Sequence, residues 1–426
     1  YDNDGDLDLF IGGHVVPSEY PNSSPSHLLR NEGGKFVDVT GTVAPELANT
    51  RLVNGAIWSD ANGDGAIDLL IAQEWGTVDV FLNVGDRLEK HGSAGLAPFT
   101  GWWNGIVGGD VDADGDIDYV VTNNGLNSKY HADAEHPVRL FSGDVDGTGK
   151  QRLIEAKYED GVLLPVRGKS CSTAAIPMLS ERFSSYKAFA TAGLQEIYSA
   201  ETLEKTTGLS ATTLESGVLV NDGSAHFEFK PLPRLAQIAP SHGASMTHLD
   251  GDEYLDLVLA QNDFSPQRET GRMDGGVSLL LKGDVKGNFH AAWPIESGLS
   301  VHGDAKSVVA SDLNRDGRPD LVFGVNNQQW QSFRSTANRK SLALRLEGVT
   351  GNPTAIGARV EVSLSSGRRL VQEVYAGSGY LTQTPSVLFY GLGDGKAKEI
   401  TVRWPDGQTT RVSTLREPVV IKHPNR

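Results

Sequence analysis

The sequence predicts an all-β chain: a β-propeller carrying a helical insertion, followed by a small β-sandwich-like domain. Three observations predict it. An acidic nine-residue loop recurs, each copy runs into a short apolar strand, and a further strand then ends in an Asn/Gly turn. Repeats spaced by roughly 35 to 100 residues mean a propeller, solenoid or array. No helix accompanies each repeat, which favours the propeller. Independent β-sandwich modules are the alternative, but no unit is large enough to bury a core alone.

The strands after the loops are residues 7–11, 67–71, 117–121, 255–259 and 319–323. They are nearly continuous apolar runs, which suits strands buried on both faces. Residues 27–36, 80–85, 217–223 and 277–283 supply the next strands and their hairpin turns. Residues 55–58 and 307–310 read as strands entering a loop. From Thr173 to about Gly208 apolar residues recur at three and four, with Ser199 as a cap, so this block reads as a helical insertion on one propeller face. A structural lid is the expectation, a partner-binding cap the alternative. The repeats end in polar text near residues 334–340, giving a propeller over 1–340 and a second domain over 341–426. That second domain alternates in and out across residues 343–346, 358–362, 369–374, 387–393 and 399–404, the pattern of a half-buried antiparallel sheet.

The loops carry the chemistry. The clearest copy holds Asp110, Asp112, Asp114, Asp116 and Asp118. Two more hold Asp60, Asn62, Asp64, Ala66 and Asp68, and Asp312, Asn314, Asp316, Arg318 and Asp320. Oxygen ligands at positions 1, 3, 5 and 9, with glycine at 6 for a sharp turn, suit Ca2+. Carboxylates this crowded repel, and a hard cation removes the penalty. Asp, Asn and Gly also dominate ordinary surface turns, but the full pattern repeated before a strand favours metal. The chain opens inside a fourth copy, with Asp2, Asp4, Asp6 and Asp8, so an N-terminally truncated propeller with an open edge is expected. Two copies are degraded. Residues 248–256 keep Asp250, Asp252 and Asp256 but have His248 first and Glu253 in the glycine position, and residues 144–152 end in Arg152. Both read more readily as structural turns. An EF-hand is excluded, because position 12 is apolar (Ile71, Val121, Phe323) and lies in a strand.

Composition narrows the class. Net charge is −16, with 38 basic and 54 acidic residues, and no Lys/Arg-rich run exists, so nucleic acid is not an expected partner. No apolar stretch reaches membrane-spanning length. The lone Cys171 leaves the compartment open, but weak calcium loops fill only where calcium is abundant, which points to an extracellular, cell-surface or periplasmic setting.

The loops and their strands resemble FG-GAP/VCBS repeats, the blades of integrin-type propellers. Residues 356–360, 377–383 and 402–407 look like an ASPIC/UnbV domain, and the pairing is similar to bacterial relatives of cartilage acidic protein. Residues 101–104, 125–130 and 230–233 look like that group's propeller text. The resemblance implies a secreted, calcium-binding propeller and no particular reaction. The degraded loops depart from it.

No nucleophile elbow, Walker loop, HExxH or CxxC is present. His131 and His136 flank Asp133 and Glu135 and read as solvated rather than as a transition-metal site. Trp75, Trp102 and Trp103 read as core rather than as a sugar platform. The expected function is a non-enzymatic adhesion, recognition or scaffold module for a protein or carbohydrate ligand. The rivals are a polysaccharide-active hydrolase or lyase and a structural matrix protein.

Overall fold

The computed structural model describes residues 1–267, 270–414 and 418–426. It is mainly β, built from small sheets that are antiparallel except where Val419–Lys422 pairs parallel with Ser341–Glu347. The first sheet holds Leu9–Ile11, His27–Asn31 and Phe36–Asp38. The second holds Leu52–Ser59, Asp68–Gly76, Val78–Asn83 and Leu88–Lys90. The third holds Ile106–Gly109, Asp118–Val121, Gly217–Asn221 and Phe227–Pro231. The fourth holds Ser241–Thr247, Asp256–Gln261, Leu279–Gly283 and Phe289–Ala292. The fifth holds Ala305–Ser311, Asp320–Val325 and Gln331–Phe333.

The apolar runs have a packing reason. Side chains alternate across a strand, and here each face meets a different neighbour. Leu69 and Ile71 pack toward the first sheet with Leu28 and Leu47, while Leu70 and Ala72 pack toward the third with Tyr119 and Val121. Val120 turns the other way, to Leu257 and Leu259 of the fourth sheet, and Val258 and Ala260 face Val308 and Phe323 of the fifth. Among the described residues, each core between these sheets is therefore shared by two of them.

The insertion is larger than the helical block. It lies between the second and third strands of the third sheet and has its own four-stranded sheet, Val138–Gly143, Arg152–Glu159, Val162–Pro165 and Thr207–Ala211. Five short helices, between Lys169–Ala175 and Ala200–Glu204, cover one face through Ile176, Phe183, Phe189 and Ile197. Ser199 caps the last of them, accepting from the Thr202 amide at 3.2 Å. Residues 144–152 are thus the hairpin of this separate sheet.

The C-terminal region forms two sheets around one core that includes Leu344, Val360, Val362, Tyr390, Ile400, Val402 and Trp404. One sheet holds Ser341–Glu347, Val387–Gly391 and Val419–Lys422; the other holds Arg359–Leu364, Arg369–Glu373, Ala397–Arg403 and Thr409–Val412. The chain leaving Glu373 runs along the first strands of the second, third and fourth sheets. Ser59 donates to Glu373 Oε2 at 2.6 Å. Further on, the Gly379 amide bonds the Ile106 carbonyl at 2.8 Å, and the Tyr380 ring lies 5.2 Å from that of His242.

Small residues leave room for this passage. A Cβ on Gly108 would sit 2.8 Å from the Tyr375 hydroxyl, and one on Gly105 would sit 2.7 Å from the His242 carbonyl and 3.0 Å from that of Gly379. Gly105→Val is therefore expected to destabilise the chain by about 2 kcal/mol or more. Chemical denaturation checks this, and an unchanged midpoint would remove the segment from the core.

Candidate metal centre

Where the ninth residue is an acid, it closes the loop. Asp118 Oδ2 accepts from the Val111 amide at 2.9 Å, and Oδ1 accepts from the Asn221 amide at 2.8 Å. Asp68 does the same with Ala61 and Asn83, at 2.9 and 2.8 Å. Asp320 binds Leu313 and Ser335, and Asp256 binds Leu249 and Gly283. In the first loop, Asp8 Oδ1 takes the Asn31 amide at 2.9 Å while Oδ2 takes the Tyr1 backbone nitrogen at 2.7 Å. One oxygen thus closes the loop and the other holds the end of a hairpin strand.

The asparagines beyond these amides extend the link. Asn221 Nδ2 reaches the Ala61 carbonyl of the second sheet's loop at 2.7 Å, and Asn83 Nδ2 reaches the Tyr1 carbonyl at 2.7 Å. The sequence shows these asparagines only as turn residues. Asn221→Ala leaves buried carbonyls unpaired and is expected to lower stability by about 1–3 kcal/mol. Thermal denaturation checks this, and a neutral effect would dissolve the sheet-to-sheet link.

The remaining ligand positions shape the loop. Asp112 and Asp114 accept from Asp114 and Asp116 amides at 3.3 and 2.9 Å, as Asn62 and Asp64 do from Asp64 and Ala66 at 3.1 and 2.7 Å. These are Asx turns, so the turn and the ligand pattern coexist. Position 6 is left-handed in five copies (Gly5, Gly65, Gly115, Gly149, Gly317), and position 4 is left-handed there too. Glycine takes that conformation without a Cβ clash. At Glu253 it is absent among the left-handed residues, so the 248–256 loop follows another path.

Among the described residues, one group of acids converges as a metal would need. Asp110, Asp112 and Asp118 each place an oxygen within 4.8 Å of the others. Asp110 Oδ1 is buried with no hydrogen-bond partner. Burial, reinforced by Asp114 and Asp112, pushes the Asp110 carboxyl up to about 7. Burial also pushes Asp118 up to about 8, against two backbone amides that lower it. These hard oxygens fit Ca2+ or another hard divalent cation, which takes carboxylate and carbonyl ligands.

Elsewhere the protein's own cations meet the acids. Arg403 Nη2 contacts Asp60 Oδ2. Lys282 Nζ donates to Asp250 Oδ2 at 2.9 Å, and Arg339 stands 3.4 Å from Asp252. Arg152 donates twice to Asp146, at 3.0 and 2.8 Å; the Thr148 hydroxyl and this guanidinium hold the Asp146 carboxyl down at about 2. The Arg318 side chain bonds Asp316 and, with it, holds that carboxyl down at about 2. Burial pushes His248 down to about 4, so it is neutral in the place of a first ligand. The other singled-out groups are ordinary. Trp75 and Trp103 are buried, Trp102 stacks edge-on to Trp75 and Tyr130 at 5.0 Å, and His136 pairs with Asp133 at 3.3 Å.

With this geometry in view, the chain matches the model of FG-GAP-like repeats over residues 1–71, 60–121 and 248–323, and the ASPIC and UnbV model over 348–422. It is a protein of FG-GAP-like repeats with a C-terminal ASPIC/UnbV domain. It is distantly homologous to cartilage acidic protein 1: 28% identical to the Mus musculus protein over 123 residues and 29% to the Homo sapiens protein over 114. Those stretches are 28% and 26% of this chain, and only 19% and 17% of the two relatives. Among solved structures, exotype rhamnogalacturonan lyase YesX is similar at TM-score 0.28 and 11% identity, over 73% of this chain and 48% of that one. The V. cholerae biofilm matrix protein Bap1 is similar at TM-score 0.26 and 10% identity, over 97% and 56%.

A divalent ion can enter the 110–118 loop only as protons leave. Burial holds the Asp110 and Asp118 carboxyls up, at about 7 and about 8, so calcium affinity is expected to rise between pH 6 and 8.5. Calorimetry at pH 6.5 in buffers of different ionisation enthalpy should register proton release. A pH-independent affinity with no proton release would place the ion elsewhere.

Proposed function

We propose that this chain is an extracellular, calcium-stabilised β-propeller that serves as a recognition or scaffold module and is not an enzyme. The observations that carry the metal reading are that Asp110, Asp112 and Asp118 each place an oxygen within 4.8 Å of the others and that Asp110 Oδ1 is buried without a hydrogen-bond partner. The propeller reading is supported by the cores shared between successive sheets and by the contacts between their first strands. The extracellular setting follows from loops that lack a twelfth, bidentate ligand and so need abundant calcium. Among the described residues no helix is long and apolar enough to cross a membrane.

In this reading the ion fixes the loop, and the loop fixes the sheet edges. The C-terminal domain covers the loop end of the second and third sheets through Glu373, Arg359 and Arg403. Recognition of a protein or carbohydrate then falls to the connections at the other end, where Tyr380 emerges beside His242. The non-enzymatic reading is supported by the occupation of the dense acidic loops: their carboxylates already bond backbone amides or internal cations. A polysaccharide-active enzyme and a structural matrix protein are the competing readings.

Calcium at a hundred-fold excess over its dissociation constant should stabilise the chain by about 2.7 kcal/mol per site. Melting curves in calcium and in chelator check this, and Asp110→Asn should erase most of the difference. Coincident wild-type curves would end the calcium reading. Screening the calcium-loaded chain against glycans and matrix proteins separates the function classes. Retention without product supports recognition, depolymerised glycan supports the enzyme, and self-assembly alone supports the matrix protein.

A further inference from the structure

Two arginines of the ASPIC/UnbV domain stand opposite each other on neighbouring strands, Arg359 paired with Arg403, and Glu373 pairs with Arg359 on the other side. Like charges directly across a sheet are unfavourable unless something offsets them. Each arginine reaches out of its domain into a different acidic loop. Arg359 Nη2 donates to the Gly115 carbonyl of the 110–118 loop. Arg403 Nη2 donates to Asp60 Oδ2, the first ligand position of the 60–68 loop. The Asp60 side chain is fully buried, its Oδ1 has no partner, and its Oδ2 also accepts the Gly65 amide at 3.1 Å.

The two loops therefore differ in their positive charge, although both have the full ligand pattern. In the 110–118 loop the arginine takes a carbonyl and leaves the carboxylates to converge. In the 60–68 loop it takes the carboxylate itself, and Asn62 donates to Asp64 Oδ2 at 2.9 Å. The degraded loops show the same substitution, with Arg152 on Asp146 and Lys282 on Asp250. We propose that Arg403 is the resident cation of the 60–68 loop, so that seating of the C-terminal domain and divalent-ion binding compete for Asp60. This rests on the reading of the loops as cation cages. A hard ion needs six or more oxygens, and a guanidinium on the first of them blocks that shell. Calcium high enough to enter this loop loosens the domain, and a seated domain keeps the loop empty of calcium.

Calcium titration calorimetry on the full chain tests this with four proteins: wild type, Arg403→Gln, Arg403→Lys, and Arg403→Gln combined with Asp60→Asn. Arg403→Gln should gain one site, or tighten a weak one at least about tenfold. Asp60→Asn should abolish that gain, and Arg403→Lys should titrate like wild type. Unchanged binding in Arg403→Gln, or a gain that survives Asp60→Asn, overturns the proposal. The wild-type chain gives an independent readout: hydrogen exchange in the strand Ala397–Arg403 should rise across a calcium series, and flat exchange overturns the competition. Asp110→Asn separates the two readings. If it removes the wild-type site while Arg403→Gln adds none, the cage reading stands and the competition falls. If Arg403→Gln binds and wild type does not, the competition stands and the 110–118 site falls. If neither protein binds calcium, both fall.

Discussion

The carboxylate at the ninth position, in the five loops that keep it, holds the architecture together. It sits where a loop becomes a strand, and its two oxygens are spent on backbone amides from two different places. One closes the turn and the other fixes the end of a hairpin strand. At Asn221 and Asn83 the amide side chain continues to the loop of the preceding sheet. Loop geometry, strand pairing and sheet-to-sheet registry therefore share one side chain. The arrangement has an electrostatic consequence. Satisfying both oxygens requires burial, and burial raises Asp68 and Asp118 to about 7 and 8. A positive charge nearby relieves that strain, and the chain supplies it in more than one way.

Comparison between the loops shows what is separable. The left-handed backbone at positions 4 and 6 persists in the 144–152 copy, although its ninth residue is Arg152 rather than an acid. There the arginine side chain folds back onto Asp146 and supplies positive charge from within the loop. In the 248–256 copy the ninth acid persists while the backbone path changes at Glu253, and Lys282 and Arg339 bring the charge from outside the loop. Turn geometry and charge compensation are thus independent requirements, and losing one does not entail losing the other.

Much of the β structure was legible because its causes are local. The run 67–71 reads as a doubly buried strand since both faces pack, Leu69 one way and Leu70 the other. The turns of these loops were legible because Asp, Asn and Gly spacing encodes Asx turns. The insertion was half legible: its helical periodicity shows, but its sheet does not, since residues 138–143 look like any repeat strand. The partners of the acids were not legible. Arg403 lies 343 residues from Asp60, and Arg359 lies 244 from Gly115. Nothing near either arginine marks it as a cation for a distant loop. The same holds for the course of the chain after Glu373, which depends on glycines in strands far upstream.

These long-range contacts bear on whether the C-terminal domain is a tethered module. A tethered module would meet its neighbour through a polar, exchangeable surface of modest size. Here the contact includes a buried glutamate whose carboxyl burial raises to about 7, in a chain of bonds from Tyr119 through Ser59. Removing one partner of such a buried network leaves the rest unsatisfied. The contact also includes a backbone bridge between Gly379 and Ile106, which requires glycine at 105 for clearance. A bridge of this kind joins the two regions through the main chain. The ASPIC/UnbV domain is accordingly part of the framework that the repeats need, and separating it would expose Glu373 and the two arginines together with the strands they line.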